Sequence, residues 1–148
     1  MANLDHIVCR SLLGSASVGR FATVTEDGAP HVVPCCFLVD EDRLYSVVDG
    51  KPKSTTALRR LANIRANPLV SLVVDHYADD WSELWWVRVD GSATVVEDRT
   101  PERATALAGL SDKYHQYQAD PPLGPLIRVD ITGLTGWAFD LGRLPTPG

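Results

Sequence analysis

"GRFATVTEDGAPHVVPCCFLV", residues 19–39, contains two runs rich in β-branched and aromatic side chains, with the turn sequence EDGAP between them. Asp27-Gly28 is typical of a hairpin turn, because glycine adopts positive φ angles at little cost. Pro34 lies inside the second run and lacks the N–H that a sheet ladder needs, so we expect a bulge or an edge strand there. The stretch therefore predicts an antiparallel hairpin that begins a meander.

The rest of the chain continues this pattern. Strand-like runs follow at 43–49, 69–77, 84–98 and 126–141, the last of which holds one or two strands. Helical patterns occupy residues 1–14, from 55 or 56 to 66, and from 101 to about 117, where Thr100 is the expected N-cap. Six or seven strands in mostly antiparallel succession with three helices predict a mainly β fold, a small β-barrel with peripheral helices.

The composition limits the classes of protein to consider. With 148 residues, 45% of them hydrophobic, we expect one domain over 1–148, ending in a loose Pro/Gly-rich tail at 142–148. A net charge of -5 argues against a general nucleic-acid or anionic-membrane binder, since either would need a broad basic face. No signal-peptide pattern or long apolar run is present, and three cysteines form no paired framework, so we expect a cytoplasmic protein.

One basic segment stands out in this acidic chain. "DGKPKSTTALRR", residues 49–60, holds two of the three lysines and three consecutive hydroxyl side chains just where a helix is expected to begin. Free backbone N–H groups at a helix N-terminus, hydroxyl donors and ammonium groups together favour a phosphate. We assign the phosphate site to Lys51, Lys53, Ser54, Thr55 and Thr56. Arg59 and Arg60 follow one turn later, and one of them could face the same anion.

The alternative for this segment is a solvated helix start with an ordinary Ser/Thr cap. It is not a nucleotide P-loop, because Gly50-Lys51 is followed by proline, and no Gly-x-Gly-x-x-Gly joins a strand to a helix.

No nucleophile, base or metal set emerges from the remaining residues. Cys35 and Cys36 are adjacent and point to opposite faces of a strand, so we interpret them as buried small hydrophobes rather than as metal ligands with His31. A bound cofactor would then carry the chemistry. The four tryptophans are either walls for a flat ring or residues of the core or a dimer interface. We therefore assign no catalytic residue and no metal ligand.

Three blocks together resemble a known family: residues 19–49, the segment "LRRLANIRANPLVSLVVD", and "WWVRVDGSATVVED". Over about Val18–Phe139 the chain is similar to the pyridoxamine phosphate oxidase-like (FMN-binding) split-barrel superfamily. More narrowly, "DGKPKSTT" and "LWWVRVDG" resemble its actinobacterial branch, which uses the deazaflavin coenzyme F(420). The resemblance implies a homodimeric split β-barrel whose cofactor sites lie in grooves between the subunits.

The resemblance also implies which residues meet the cofactor. Its phosphate and acidic tail would be held by the basic segment already assigned to an anion, and its ring would be edged by the backbone around Val33, Pro34 and Cys35. Trp85, Arg88 and Trp137 are further candidates, which a partner subunit could contribute. Many relatives open this helix with adjacent Arg-Lys, whereas here the sequence is Lys-Pro-Lys-Ser-Thr-Thr, so FMN stays open as the cofactor.

The activity implied by the resemblance is that of an F(420)-dependent oxidoreductase. It would move a hydride between the reduced cofactor and a small unsaturated or quinone-like substrate. The alternatives are an FMN-dependent oxidase or reductase of the same fold, and a non-catalytic carrier of a cofactor or a haem-type ligand.

Overall fold

Eight strands and four helices make up the part of the chain that the computed structural model describes, residues 2–48, 55–96 and 99–146 without the side chains at 55–57. The strands are β1 Ala2–Asn3, β2 Gly19–Val24, β3 Pro30–Cys35, β4 Leu38–Asp40, β5 Arg43–Val47, β6 Leu69–His76, β7 Trp85–Val96 and β8 Leu126–Ala138. The helices are α1 His6–Ser15, α2 Thr55–Ala66, α3 Pro101–Lys113 and α4 His115–Ala119, with 3-10 turns at Trp81–Glu83 and Leu141–Arg143.

All the strands belong to one antiparallel sheet. Its order is β3-β2-β6-β7-β8-β5-β4, and β1 pairs with the end of β8. The long strands β7 and β8 form the central ladder, which runs from Trp85 opposite Ala138 to Val96 opposite Leu126. The mainly β, antiparallel architecture predicted from the sequence is confirmed. The predicted count of six or seven strands is low because the two shortest strands, β1 and β4, carry little pattern.

The ends of the sheet are joined by a very short connection. β3 and β4 lie at opposite ends of the strand order, yet only Cys36 and Phe37 separate them in the chain. The sheet must therefore curl until its two ends meet, which gives the barrel-like shape. The run 31–39, which we predicted as a single strand, is divided at this point into β3 and β4.

Side chains satisfy the backbone of this junction, where no ladder continues. The Tyr114 hydroxyl accepts a hydrogen bond from the Phe37 N–H at 3.0 Å and lies 3.1 Å from the Phe37 carbonyl. Lys113 donates to the same carbonyl at 2.9 Å, and the Ser46 hydroxyl donates to the Cys36 carbonyl at 2.8 Å. Because Phe37 is fully buried, these partners replace hydrogen bonds that water cannot supply.

The predicted hairpin forms, and the core follows from strand alternation. Gly28 has φ +88° in the turn between β2 and β3, and β3 is an end strand of the sheet path, as Pro34 requires. Along β7, alternate side chains point into the barrel, so Val87 and Val89 are buried while Arg88 is exposed. Residues of β2, β6 and β8 fill the same interior, and a second cluster packs beneath α3.

The helix predicted from 101 to about 117 is two helices. Thr100 caps α3 as expected, because its hydroxyl accepts from the Arg103 N–H at 3.1 Å. The helix ends at Lys113, since Tyr114 has an extended backbone with φ -120° and ψ 109°. A hydrogen bond of 2.9 Å between the Tyr114 hydroxyl and the Ser17 carbonyl adds to the contacts with Phe37. The tyrosine thus leaves the helical path to hold the barrel junction.

The two ends of the chain differ from the expected pattern. The helix predicted over 1–14 is preceded by β1 and begins after Asp5, whose side chain accepts from the Val8 N–H at 2.9 Å. The loose tail predicted over 142–148 is wrong for its first residues, because Arg143 pairs with Asp80 and Leu144 packs against the core. Among the described residues, no helix has both the length and the apolar character required to cross a membrane.

We expect Tyr114→Phe to lower the free energy of unfolding by about 1–3 kcal/mol, because it leaves the buried Phe37 N–H without its acceptor. The matched control is Tyr77→Phe, which removes a hydroxyl from an exposed ring and should change stability by less than about 0.5 kcal/mol. Urea unfolding followed by circular dichroism measures both. Equal stability of the two variants would show that the tyrosine does not hold the junction.

Candidate functional site

A cavity of about 280 Å³ opens where the two ends of the sheet meet. Pro34, Cys35 and Cys36 form one wall, and Val47 at the end of β5 forms another. Val18, Arg60 of helix α2 and Tyr117 of helix α4 are the other described residues of the lining. In sequence, the basic segment 49–54 connects the Val47 wall to the helix that carries Arg60.

Arg60 is the charged group of this cavity. Its side chain lies on the buried face of α2 with Leu61 and Ile64, and the residue is only 8% exposed. The buried Nε atom has no hydrogen-bond partner among the described residues. Burial lowers the pKa of the guanidinium, opposed by the neighbouring Cys35 and Tyr117. A buried cation is costly where no described residue supplies a counter-charge, so this cavity favours an anion.

Two further polar groups lie beside the same wall. Burial raises the pKa of the Cys35 thiol to about 11, although the cations of Arg60 and Lys113 act in the opposite direction. Burial likewise lowers the pKa of Lys113 to about 8, and its ammonium lies 4.0 Å from the centre of the Phe37 ring. Cys35 is therefore a thiol and not a thiolate nucleophile at neutral pH.

Tyr114 sets the position of the α4 wall. Burial raises the pKa of its hydroxyl to about 12, so the group stays protonated and keeps its hydrogen bonds to the barrel junction. Its ring lies 5.6 Å from that of Tyr117, measured between centroids. Because Tyr114 is fixed to Ser17 and Phe37, the short helix that follows it places Tyr117 against the cavity.

The structure brings together only some of the predicted site residues. Pro34 and Cys35 line the cavity with Arg60, and Val33 precedes them in β3. Thr55 and Thr56 are the first two residues of α2, and their side chains are outside the description. The predicted Lys51, Lys53 and Ser54 lie outside the described residues.

Trp85, Arg88 and Trp137 are not brought to this cavity within one chain. Trp85, the first residue of β7, is buried in the core, with its ring 6.5 Å from that of His76. Arg88 points out of the barrel, and its Nε atom lies 3.1 Å from Asp90. Trp137 lines a separate cavity. These three belong to the central ladder, whereas the Arg60 cavity lies at the meeting of the sheet ends. Their contribution to a partner's site stays a prediction.

Sequence reasoning did not single out three contributors to the site. Arg60 was one of two equivalent arginines, yet its spacing of one and four residues from Leu61 and Ile64 places it on the buried face. That periodicity could have distinguished it from the exposed Arg59. Tyr117 carried no signal, because its approach to the cavity depends on the break at Tyr114. Lys113 carried none either, because its contact with the Phe37 carbonyl joins residues far apart in the chain. Among the described residues, no three His, Cys, Asp or Glu side chains converge as metal ligands would.

The chain is similar to several known proteins. A family model described as pyridoxamine 5'-phosphate oxidase matches residues 7–138. Over 63 residues the chain is 36% identical to the 5a,11a-dehydrotetracycline/5a,11a-dehydrooxytetracycline reductase of Streptomyces rimosus. That match spans 43% of this chain and 43% of the reductase, so it covers less than half of either protein.

Solved structures show the same fold. An FAD-binding protein from Mesorhizobium loti superposes with a TM-score of 0.70 and 25% identity, covering 91% of this chain and 95% of that one. The haem storage protein of Vibrio cholerae superposes with a TM-score of 0.69 and 17% identity, covering 87% of this chain and 92% of that one. At that identity the second likeness shows the fold alone.

The lowered pKa of Lys113 predicts a pH-dependent stability. Below pH 8 the ammonium is charged in the folded and unfolded states, and its burial is unfavourable. Between pH 8 and 10.5 the folded protein releases the proton while the unfolded chain keeps it, so stability rises with pH. We expect wild type to gain about 1–2 kcal/mol relative to Lys113→Met across this window, because partial exposure screens the effect of the full shift.

Urea unfolding at a series of pH values measures this gain. Arg59→Met, which removes an exposed cation, is the control and should run parallel to wild type. A constant difference between wild type and Lys113→Met from pH 7 to pH 10.5 would contradict the burial of the ammonium.

Proposed function

This chain belongs to the pyridoxamine 5'-phosphate oxidase family, and from that membership we propose that it is an oxidoreductase that binds a flavin-type cofactor in the Arg60 cavity. The FAD-binding protein of similar fold supports the cofactor class, and the reductase from Streptomyces rimosus supports the reaction class. The cofactor supplies the hydride chemistry when it is bound.

The single observation that carries the proposal is the buried, unpaired Nε atom of Arg60. A phosphate oxygen would accept from it and supply the missing counter-charge, and guanidinium groups match phosphate geometry well. The first residues of α2 lie three to five positions earlier, and the lysines of the segment 49–54 precede them. The residues present therefore fit an anionic cofactor tail.

The finer proposal is that the cofactor is F(420). Its acidic tail carries several carboxylates, which would use more than one lysine of the segment 49–54, whereas FMN carries a single phosphate. FMN is the competing outcome of the binding experiment described below.

The remaining lining suits a flat ring. Val18, Pro34 and Val47 offer apolar surface, and Tyr117 adds an aromatic face. Cys35 keeps its proton, so it contacts the ring as a small apolar group and does not attack it. These residues bind, orient and exclude water, and we propose no protein acid or base. The rate would come from holding donor and acceptor close together.

We also propose that the protein is a homodimer. One face of the sheet is open to solvent, and a row along it runs from Val32 through Ala22 and Ser71 to Asp90. Val32 is 61% exposed on this face. Trp86 and Trp137 are direct cross-strand neighbours on the same side as Asp90. A second copy of the chain would cover Val32 and Trp86 and bring residues of the central ladder to its partner's cavity.

The prediction that tests the cofactor site compares two adjacent arginines. Arg60→Gln should weaken binding of F(420) or FMN by about 10- to 100-fold, because a charge-assisted hydrogen bond contributes about 1.5–3 kcal/mol. Arg59→Gln removes the same charge from the exposed face of the helix and should weaken binding less than about threefold. Titration with each cofactor, followed by fluorescence, gives the dissociation constants.

Whichever of F(420) and FMN wild type binds more tightly is assigned as its cofactor. If Arg60→Gln binds both as wild type does while its thermal unfolding is unchanged, the anion does not meet Arg60. The proposal then fails.

The test of the proposed dimer introduces one negative charge on the open face of the sheet. Wild type should sediment at about 32 kDa, twice the 16.2 kDa of one chain, and Val32→Asp should sediment as a monomer. Ile7→Asp introduces the same charge at an exposed apolar residue of α1 and should leave the dimer intact. If wild type is a monomer at micromolar concentration, the proposed dimer does not exist. If Val32→Asp is still a dimer, the interface lies elsewhere.

A further inference from the structure

A second cavity, here named the aromatic pocket, is walled almost entirely by aromatic rings. It measures about 320 Å³ and is lined by Tyr77, Trp81, Leu84, Trp137 and Phe139. Trp81 is 67% exposed, and Tyr77 and Phe139 are exposed as well. Exposed aromatic side chains that converge on one concave site are typical of a binding surface.

The aromatic pocket is braced by its own hydrogen bonds. The Asp80 carboxylate caps the 3-10 turn that carries Trp81, accepting from the Ser82 N–H at 3.0 Å and from its hydroxyl at 2.6 Å. The Leu84 carbonyl accepts from the Phe139 N–H at 2.9 Å. The two segments that carry the rings are thus tied together, so the walls are formed before anything binds. Such preorganisation reduces the entropy lost on binding.

The charged groups beside the aromatic pocket pair with one another and do not line it. Arg143 lies 3.3 Å from Asp80 and 3.7 Å from Glu83, beside the pocket. Among the described residues, the lining contains no carboxylate, ammonium or guanidinium, and its polar atoms are few. The described lining of the aromatic pocket therefore offers π faces and no charged group, in contrast to the Arg60 cavity, where the buried Nε atom of Arg60 has no described partner.

From this geometry we propose that the aromatic pocket binds a flat, uncharged, fused-ring molecule, which is the substrate class of the protein. The assignment rests on the proposed oxidoreductase function and on the proposed homodimer, in which the central ladder of one copy, with the aromatic pocket at its end, would meet the cofactor of its partner, since hydride transfer needs contact between the two rings. It gives Trp137 a place in the substrate site. Stacking between two or more aromatic walls selects planar rings, and the absence of a counter-charge disfavours ions. The similar reductase from Streptomyces rimosus is named for dehydrotetracyclines, which are fused-ring compounds.

The test measures binding of two probes to the full chain. Acridone is a neutral molecule with three fused rings, and acridone-4-carboxylate is its anionic counterpart. Calorimetric titration should give a dissociation constant for acridone below about 100 μM, and at least tenfold weaker binding of the carboxylate. Trp81→Ala should weaken acridone binding at least tenfold, since it removes a stacking wall. Tyr77→Ala gives a second, independent test of the same wall.

Leu123→Ala is the control, because Leu123 is an exposed apolar residue that does not line the aromatic pocket. It should bind acridone as wild type does. Equal acridone affinity in Trp81→Ala and wild type, or equal affinity for the two probes, overturns the proposal. A change in sedimentation of Trp81→Ala with unchanged acridone binding also overturns it, because the aromatic pocket would then seat a second copy.

Cofactor titration of the same variant separates the two proposals. Trp81→Ala should bind F(420) and FMN as wild type does, because Trp81 does not line the Arg60 cavity. If neither cofactor binds to wild type, the proposed function fails, whereas loss of acridone binding in Trp81→Ala still supports a ring site. If the cofactor binds to wild type, and Trp81→Ala binds acridone as tightly as wild type does, only the substrate assignment fails.

Discussion

The two-residue connection at Cys36 and Phe37 is the constraint on which the remaining structure depends. It joins the two ends of the strand order, so the sheet has to close upon itself. Closure leaves a junction without a ladder, and its backbone groups bond instead to the side chains of Tyr114, Lys113 and Ser46. Those contacts end α3, place α4 and bring Tyr117 to the wall of the Arg60 cavity. The candidate site is therefore a consequence of how the barrel closes.

The central ladder determines what lies on the other side of the molecule. β6 pairs with the first part of β7, whereas β5 pairs with the first part of β8, so the two neighbours lie at opposite ends of the ladder. At the irregularity between Asp90 and Gly91 the strands approach closely, and a Cβ at Gly91 would lie 2.5 Å from the Asp130 carbonyl oxygen. The same ladder carries Trp137 to the aromatic pocket, far along the sheet from the Arg60 cavity.

The two cavities differ in their electrostatics. The protein is acidic overall, yet it buries the Nε atom of Arg60 without a hydrogen-bond partner among the described residues and holds Lys113 against an aromatic ring. Burial of either cation is unfavourable when no anion is bound, and it lowers the pKa of both groups. An anion would compensate this cost at one cavity, while the aromatic pocket has no such need. From that difference we infer that the Arg60 cavity takes the charged tail of the cofactor, whereas the aromatic pocket takes neutral rings.

The sequence by itself determined the antiparallel strands, the hairpin at Gly28 and the cap at Thr100, because each depends on local periodicity or on one residue's conformational preference. It also identified Pro34 and Cys35, which lie beside Arg60 in the structure. Only the tertiary structure decided that the helix breaks at Tyr114 and that Trp137 lies in a different cavity from Arg60. Those facts depend on closure of the sheet, which brings together residues from distant parts of the chain through contacts that no local pattern encodes.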